Sequence, residues 1–331
     1  MGCNEVKKMI KNVLPYGIVE WYRKKKFCGG PVGNVPEPQV YNANGEKMRV
    51  FYLQDKAALY AYSFTGGRDG THIFWDRSNV RLPIHFYTHE DMFDTKAIAQ
   101  KKFGLLMEPE VMIPQVYQRL YENPGLVKEF DAIFTHSEKL LEKYDNAKLY
   151  LGQGAWYGTL SGGGVPDSEL YRKKCKNVSM VSSDKVILES HRRRIEIAKA
   201  MKQSGVVDTF GAFDGGPAIK VADALDEYRF SIVLENEISS YYFTEKILNC
   251  FASMTIPVYA GATKIGDFFN EEGIIVIDKT APMDDIIVAV KKLCTKEAYE
   301  ERKDAVIDNY NRVQKMLCVD DYIYENYKEL F

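Results

Sequence analysis

Long apolar runs are missing from this 331-residue chain: none approaches the ~20 residues that a membrane-spanning helix requires. No secretory leader is visible at the N-terminus, so a cytoplasmic protein is expected. A strong charge of one sign is also lacking, and a net charge of −2 offers nucleic acid no basic field. Cysteine is sparse and scattered. Cys3, Cys28, Cys175, Cys250, Cys294 and Cys318 form no C-x-x-C and no close framework, which suits free thiols in a reducing compartment. No Asp-x-Asp pair occurs anywhere, which removes a common carboxylate seat for a divalent ion. The stretch Thr65-Gly-Gly-Arg-Asp-Gly-Thr71 lacks the spacing of a dinucleotide or P-loop motif, so its glycines read first as turn formers.

What is present reads as a globular α/β chain. Hydrophobic residues make up 46% and charged residues 27%, and the length suggests about two domains. The organising stretch is residues 230–261. Phe230-Ser-Ile-Val-Leu234 is a short run with β-branched members, as in a strand buried on both faces. Asn236, Ser239 and Ser240 are turn formers. Thr244 and Glu245 open a helix whose Ile247, Leu248, Phe251 and Ala252 are spaced to face a core. Ile256-Pro-Val-Tyr259 is the next parallel strand, ending at Gly261. Such crossovers bind ligands beyond the carboxyl ends of their strands, and that edge carries Glu235, Asn236, Tyr242, Glu245 and Lys246. A helix N-terminus, with free N–H groups and about half a positive charge, suits a nucleotide diphosphate. Lys246 in the first turn opposes the dipole unless an anion sits there. Glu245 suits a sugar diol, and Tyr242 a base, by stacking or hydrogen bonding. The plainer alternative is a solvated first turn with a Glu–Lys pair.

Glu235-Asn236, a five-residue spacer, Tyr242-Phe-Thr-Glu-Lys246 and Ile256-Pro-Val-Tyr-Ala-Gly261 resemble the signature of the α-1,3/4-fucosyltransferases, glycosyltransferase family 10. That family's pattern is roughly Phe-Glu-Asn, a spacer, Tyr-Val-Thr-Glu-Lys and Pro-Val-Tyr-Gly. This chain departs at Leu234 and Phe243, both still apolar. The resemblance is strong over residues 175–280, weaker over 100–140 and silent for 1–45. It implies a GT-B architecture: two Rossmann-like domains facing across a cleft. Residues 1–158 would form the acceptor domain and 159–310 the donor domain, with the boundary in the Gly/Ser/Pro cluster between Leu151 and Pro166. A C-terminal helix over 311–331 would pack back on the first domain. The resemblance also implies GDP-fucose or a related nucleotide sugar as donor, a surface glycan as acceptor, and an α-fucoside formed with inversion. A Golgi member would need a membrane anchor, and its absence here points to a bacterial or viral cytoplasmic enzyme.

Phe103 to Met107 reads as a strand ending at Glu108, with Pro109 forcing an extended exit. The family has a glutamate before Ser-Pro or Pro at this point, held to be the general base. The resemblance therefore implies Glu108, with Glu110 as the rival. It also implies a donor-binding arginine seven residues before an apolar position in the helix opening at His191. Counting back from Met201 gives Arg194, with Arg193 and Arg192 as offsets. Arg194 and Lys246 would balance the departing diphosphate without a required cofactor, a divalent cation at most stimulating. Glu245 would take the ribose diol, Asn236 ribose or phosphate, and Tyr242 base or ribose. The glycine-rich stretch at 65–71 is then a second candidate for acceptor contact.

Residues 1–28 are basic, with apolar residues at helical spacing. They suit peripheral contact with an anionic inner membrane face, and equally a domain-packed helix with solvated lysines. His85 and His89, four apart, would share a face if helical. No further ligand falls in a zinc spacing, so structural or acceptor-contacting histidines are expected. Two rival functions stay open: a same-fold transferase using another nucleotide sugar, and a nucleotide-sugar-binding protein that has lost transfer. Glu108 speaks for an active enzyme against the second.

Overall fold

The computed structural model describes residues 18, 34–56, 69–96, 98–151, 154–157 and 167–331. The basic segment 1–28 apart from Ile18, most of the glycine-rich stretch at 65–71 and most of the 151–166 linker lie outside the described residues.

Two sheets carry the fold. The first contains β1 (Val40–Tyr41), β2 (Lys47–Gln54), β3 (Ile73–Asp76), β4 (Ile84–Thr88), β5 (Lys101–Leu105), β6 (Ala132–Thr135) and β7 (Ala147–Leu149). Their order is β1-β2-β4-β5-β6-β7, with β3 also paired to β2, and every pairing is parallel except β1 with β2. The second contains β8 (Lys176–Val181), β9 (Asp208–Phe210), β10 (Tyr228–Leu234), β11 (Ile256–Ala260) and β12 (Ile275–Val276). It is parallel throughout, in the order β12-β11-β10-β8-β9.

β10 shows why the run at 230–234 becomes a central strand. Side chains alternate between faces along a strand. Phe230, Ile232 and Leu234 enter one apolar cluster, and Val233 enters the other. β10 runs in register with β11, Phe230 opposite Ile256 and Leu234 opposite Ala260. The connecting helix, Glu245–Ala252, is capped by Thr244, whose hydroxyl accepts from the Lys246 N–H. Its Ile247, Leu248 and Phe251 pack beneath the sheet.

The C-terminal return begins later than residue 311. Val313 still packs in the second half, whereas the helix Val319–Tyr327 lays Val319 and Ile323 against Phe51, Phe86, Phe103 and Phe134 of the first. Asp321 accepts from the N–H groups of Thr71 (2.7 Å) and His72 (3.0 Å). Asp320 accepts from the Trp75 indole at 2.6 Å. The apolar face at Val313 is satisfied locally, so the crossing falls in the segment between these helices.

Two local expectations need correction. His85 lies in β4 and His89 in the short 3-10 turn His89–Phe93, so they share no helix face. β5 ends at Leu105 rather than Met107, because the N–H groups of Met107 and Glu108 turn to the His89 ring. No helix among the described residues is long and apolar enough to cross a membrane.

Candidate active site

A cavity of about 520 Å³ lies where the two halves meet. Glu108 lines it from the first half, and Arg194, Asn236, Tyr242, Glu245 and Lys246 line it from the second. All six residues singled out by the sequence converge on this space.

The second half builds its wall at the carboxyl end of β10. Glu235, the next residue, is 1% exposed. Its carboxylate accepts from the Thr244 N–H at 2.9 Å, the Thr244 hydroxyl at 2.9 Å and Lys246 Nζ at 3.3 Å. Burial pushes its pKa up against the pull of Lys246. Gly261 leaves room for this carboxylate: a Cβ there would stand 2.2 Å from the Tyr259 hydroxyl and 2.7 Å from Glu235 Cγ. The glycine that ends the β11 motif thus serves the packing of Glu235. Lys246 Nζ also donates to Thr244 Oγ1 at 2.9 Å and Glu245 Oε1 at 3.1 Å. Burial alone would lower its pKa, but Glu235 and Glu245 outweigh that and hold it raised. The anion that Lys246 needs at a helix N-terminus is therefore supplied by the protein itself. A ligand diphosphate must exchange with these carboxylates to reach it.

Of the three successive arginines, Arg194 lines the cavity. Arg192 is exposed near Glu189, and Arg193 donates to the carbonyls of Lys279 and Ala281. Arg194 is 8% exposed and donates to Ser183 Oγ (3.1 Å) and Asn236 Oδ1 (3.3 Å). Its Nε is buried with no hydrogen-bond partner among the described residues. Burial lowers its pKa, partly offset by Glu235, and a guanidinium stays charged regardless. His191, given no role from the sequence, organises this side. Its Nδ1 accepts from the N–H groups of Ile187 and Leu188 (3.1 and 3.2 Å), and its Nε2 donates to Asn236 Oδ1 at 3.0 Å. Two donors on Asn236 Oδ1 turn the amide NH₂ outward as a donor of its own. A histidine on the first turn of a helix was the available signal, and only the fold shows that it reaches Asn236.

Tyr242 packs against the first half. The residue is 3% exposed and its ring lies 4.9 Å from that of His136. Tyr242 also lines the cavity.

In the first half, Glu108 is half-buried and its peptide is gripped on both sides. His89 Nε2 accepts from the Met107 and Glu108 N–H groups at 3.2 Å each, and Tyr117 OH donates to the Glu108 carbonyl at 2.9 Å. His89 is 6% exposed and adopts φ 44°, an uncommon region for a side chain of this size. Burial keeps its ring neutral, as acceptance at Nε2 requires. Glu110, the rival base, is engaged: Tyr121 OH donates to it at 2.6 Å. The halves touch around this point. Val111 N–H donates to Glu237 at 3.4 Å, and Glu138 accepts from Ser240 and, at 2.5 Å, from Lys264.

Two mainly parallel sheets meeting over a cavity with a carboxylate on one side and cations on the other fit the GT-B class of glycosyltransferase fold. Within it, residues 171–303 match the family described as "Glycosyltransferase family 10 (fucosyltransferase) C-term". The chain is 30% identical over 103 residues to the α-(1,3)-fucosyltransferase FucT of Helicobacter pylori, covering 31% of this chain and 20% of that protein. It is 29% identical over 96 residues to an α-(1,4)-fucosyltransferase of Arabidopsis thaliana, covering 28% and 24%. These matches thus span less than a quarter of either relative. A crystal structure of an α1,3-fucosyltransferase with GDP aligns over 90% of this chain and 94% of that one, at 15% identity and a TM-score of 0.52. That likeness establishes the fold.

Proposed function

We propose that this protein is an inverting glycosyltransferase that moves fucose from GDP-fucose to a hydroxyl of a surface-glycan acceptor. One observation carries the reading: one cavity is lined by Glu108 from the first half and by Arg194, Asn236 and the first turn of the Glu245–Ala252 helix from the second. The family 10 domain and the similarity to fucosyltransferases support the choice of sugar.

In this reading the donor lies along the second half and the acceptor enters from the first. Glu108 takes the proton of the attacking hydroxyl, an effect worth ~10²–10⁴-fold. Attack from the Glu108 side and departure toward Arg194 displace the diphosphate from the far face of the sugar carbon, which inverts it. The growing charge on the diphosphate meets the open N–H of Arg194, the Asn236 amide and the helix N-terminus. Lys246 joins when Glu245 exchanges it for the ribose diol. Transfer then needs no divalent ion, and it should persist in excess chelator.

The test is thermal shift with a panel of nucleotide sugars. A donor present at 100 times its Kd adds about 2.7 kcal/mol of stability. GDP-fucose should give the largest shift, reduced in Arg194→Ala. No shift with GDP-fucose, or a larger one with a uridine or adenosine sugar, overturns the proposed donor.

A further inference from the structure

Asn249 has no part in the reading above. It sits on the Glu245–Ala252 helix, four residues after Glu245 and three after Lys246, so the three share a face. It lies one turn, about 5 Å, further along the helix axis. The residue is 4% exposed, yet it borders the cavity. Its Oδ1 is buried and accepts no hydrogen bond among the described residues. Buried amide oxygens are normally paired, and leaving one open is destabilising. Val221, Leu225 and Trp156 also line the cavity. Two aliphatic walls, one aromatic and a single open acceptor suit a flat heterocycle that carries an N–H at its edge.

We propose that Asn249 contacts the nucleobase of the donor, its Oδ1 accepting a base N–H. The inference rests on the nucleotide-sugar reading and adds a base subsite to it. The order along the helix matches the order along a nucleotide: phosphates at the N-terminus, ribose at Glu245, and base one turn on. Guanine presents two adjacent N–H donors, whereas uracil and adenine each pair one donor with acceptors. An amide pairs with any of these edges, but a carboxylate at position 249 accepts from two donors side by side and opposes the mixed edges. The substitution Asn249→Asp therefore separates guanine from the others.

Calorimetry on the full chain with GDP, UDP, ADP and inorganic pyrophosphate tests this. Wild-type protein should bind GDP more tightly than pyrophosphate. Asn249→Leu should weaken GDP roughly 10-fold or more and leave pyrophosphate unchanged. Asn249→Asp should keep GDP within a few-fold of wild type while UDP and ADP weaken further. Should the leucine variant fail to fold, judged by near-ultraviolet circular dichroism, the aspartate variant alone decides. Unchanged GDP affinity in Asn249→Leu, or equal losses for GDP and pyrophosphate in either variant, overturns the base contact and leaves the nucleotide reading standing. If wild-type protein binds none of the three nucleotides, the nucleotide reading itself falls, and this inference with it.

Discussion

The two halves hold their cavity residues in opposite ways. In the first, the peptide of Glu108 is fixed by the His89 ring and the Tyr117 hydroxyl while the carboxylate has no hydrogen-bond partner among the described residues. In the second, Glu235, Thr244, Glu245 and Lys246 are already bonded to one another around a buried carboxylate. A catalytic base must be placed and kept open, because its task is to accept a proton. A leaving-group pocket must bear opposite charges when empty, so its cations are stored against the protein's own carboxylates. The first half should therefore fail in turnover when altered, and the second in stability and binding.

The largest effect should come from Glu108→Gln, which keeps shape but cannot take a proton at neutral pH. Turnover should fall ~10²-fold or more with donor affinity nearly unchanged. Glu110→Gln is the control, since Glu110 is already bonded to Tyr121. Equal losses in both, by initial rates and GDP titration, would place the base elsewhere in this loop. Next in size is Glu235→Ala in the other half. It removes a 1%-exposed carboxylate, takes one counter-charge from Lys246 and leaves the Thr244 N–H without that acceptor. Leaving a buried donor unsatisfied costs about 1–3 kcal/mol, to be read from urea unfolding. Glu245→Ala, at the open end of the same lysine, should cost far less stability and weaken nucleotide binding instead. Equal destabilisation by the two variants would mean that the stored-charge picture is wrong.

Acid should separate the halves too. Burial lowers the pKa of His85 to about 4 and of His136 to about 3, and both lie in the first half. Between the ordinary value near 6.5 and these lowered values the unfolded chain binds protons that the folded one refuses. Stability therefore rises with pH across that window and is lost as pH falls below 6.5. At pH 5 each histidine should cost about 2 kcal/mol. In the second half, burial lowers the Lys174 pKa to about 7. The sign is the same, but its window runs from about pH 7 up to the usual lysine value, so it gains stability toward alkali. Unfolding free energies at pH 7 and pH 5 for wild type and His136→Gln check the first window. An unchanged pH slope in the variant would clear His136 of the effect.

How much of this was legible follows the same division. β10, the Glu245–Ala252 helix and β11 were readable because an apolar run, a capping threonine and a proline-containing strand follow one another without ambiguity. Glu108 was reached through the dipeptide Glu108-Pro109 at a strand exit. Partnerships were not readable. That Glu235 is sealed against Lys246, that His191 fixes Asn236, and that the Tyr242 ring faces His136 all depend on contacts between segments far apart in the chain. Residue type at position 235 suggests an exposed edge carboxylate, and only the packing around Gly261 makes it buried.

The smallest effect expected is at the rim, where the halves exchange charge directly. Lys264 donates to Glu138 at 2.5 Å, and the two side chains are 44% and 38% exposed. Their hydrogen bond depresses the Glu138 pKa, yet solvent screens such a pair and side-chain entropy opposes it. Of the contacts that join the halves here, three differ clearly in depth. The Tyr242–His136 ring contact is buried, the Val111–Glu237 bond is long at 3.4 Å, and the Lys264 pair is open to water. If burial decides what ties the halves together, Lys264→Ala should melt close to wild type. Any difference should vanish at about 1 M salt, where the screening length is about 3 Å. Tyr242→Ala should lower the melting temperature clearly, at either salt concentration. A Lys264→Ala loss as large as that of Tyr242→Ala and insensitive to salt would show that the halves are held by the rim, not by the buried ring between them.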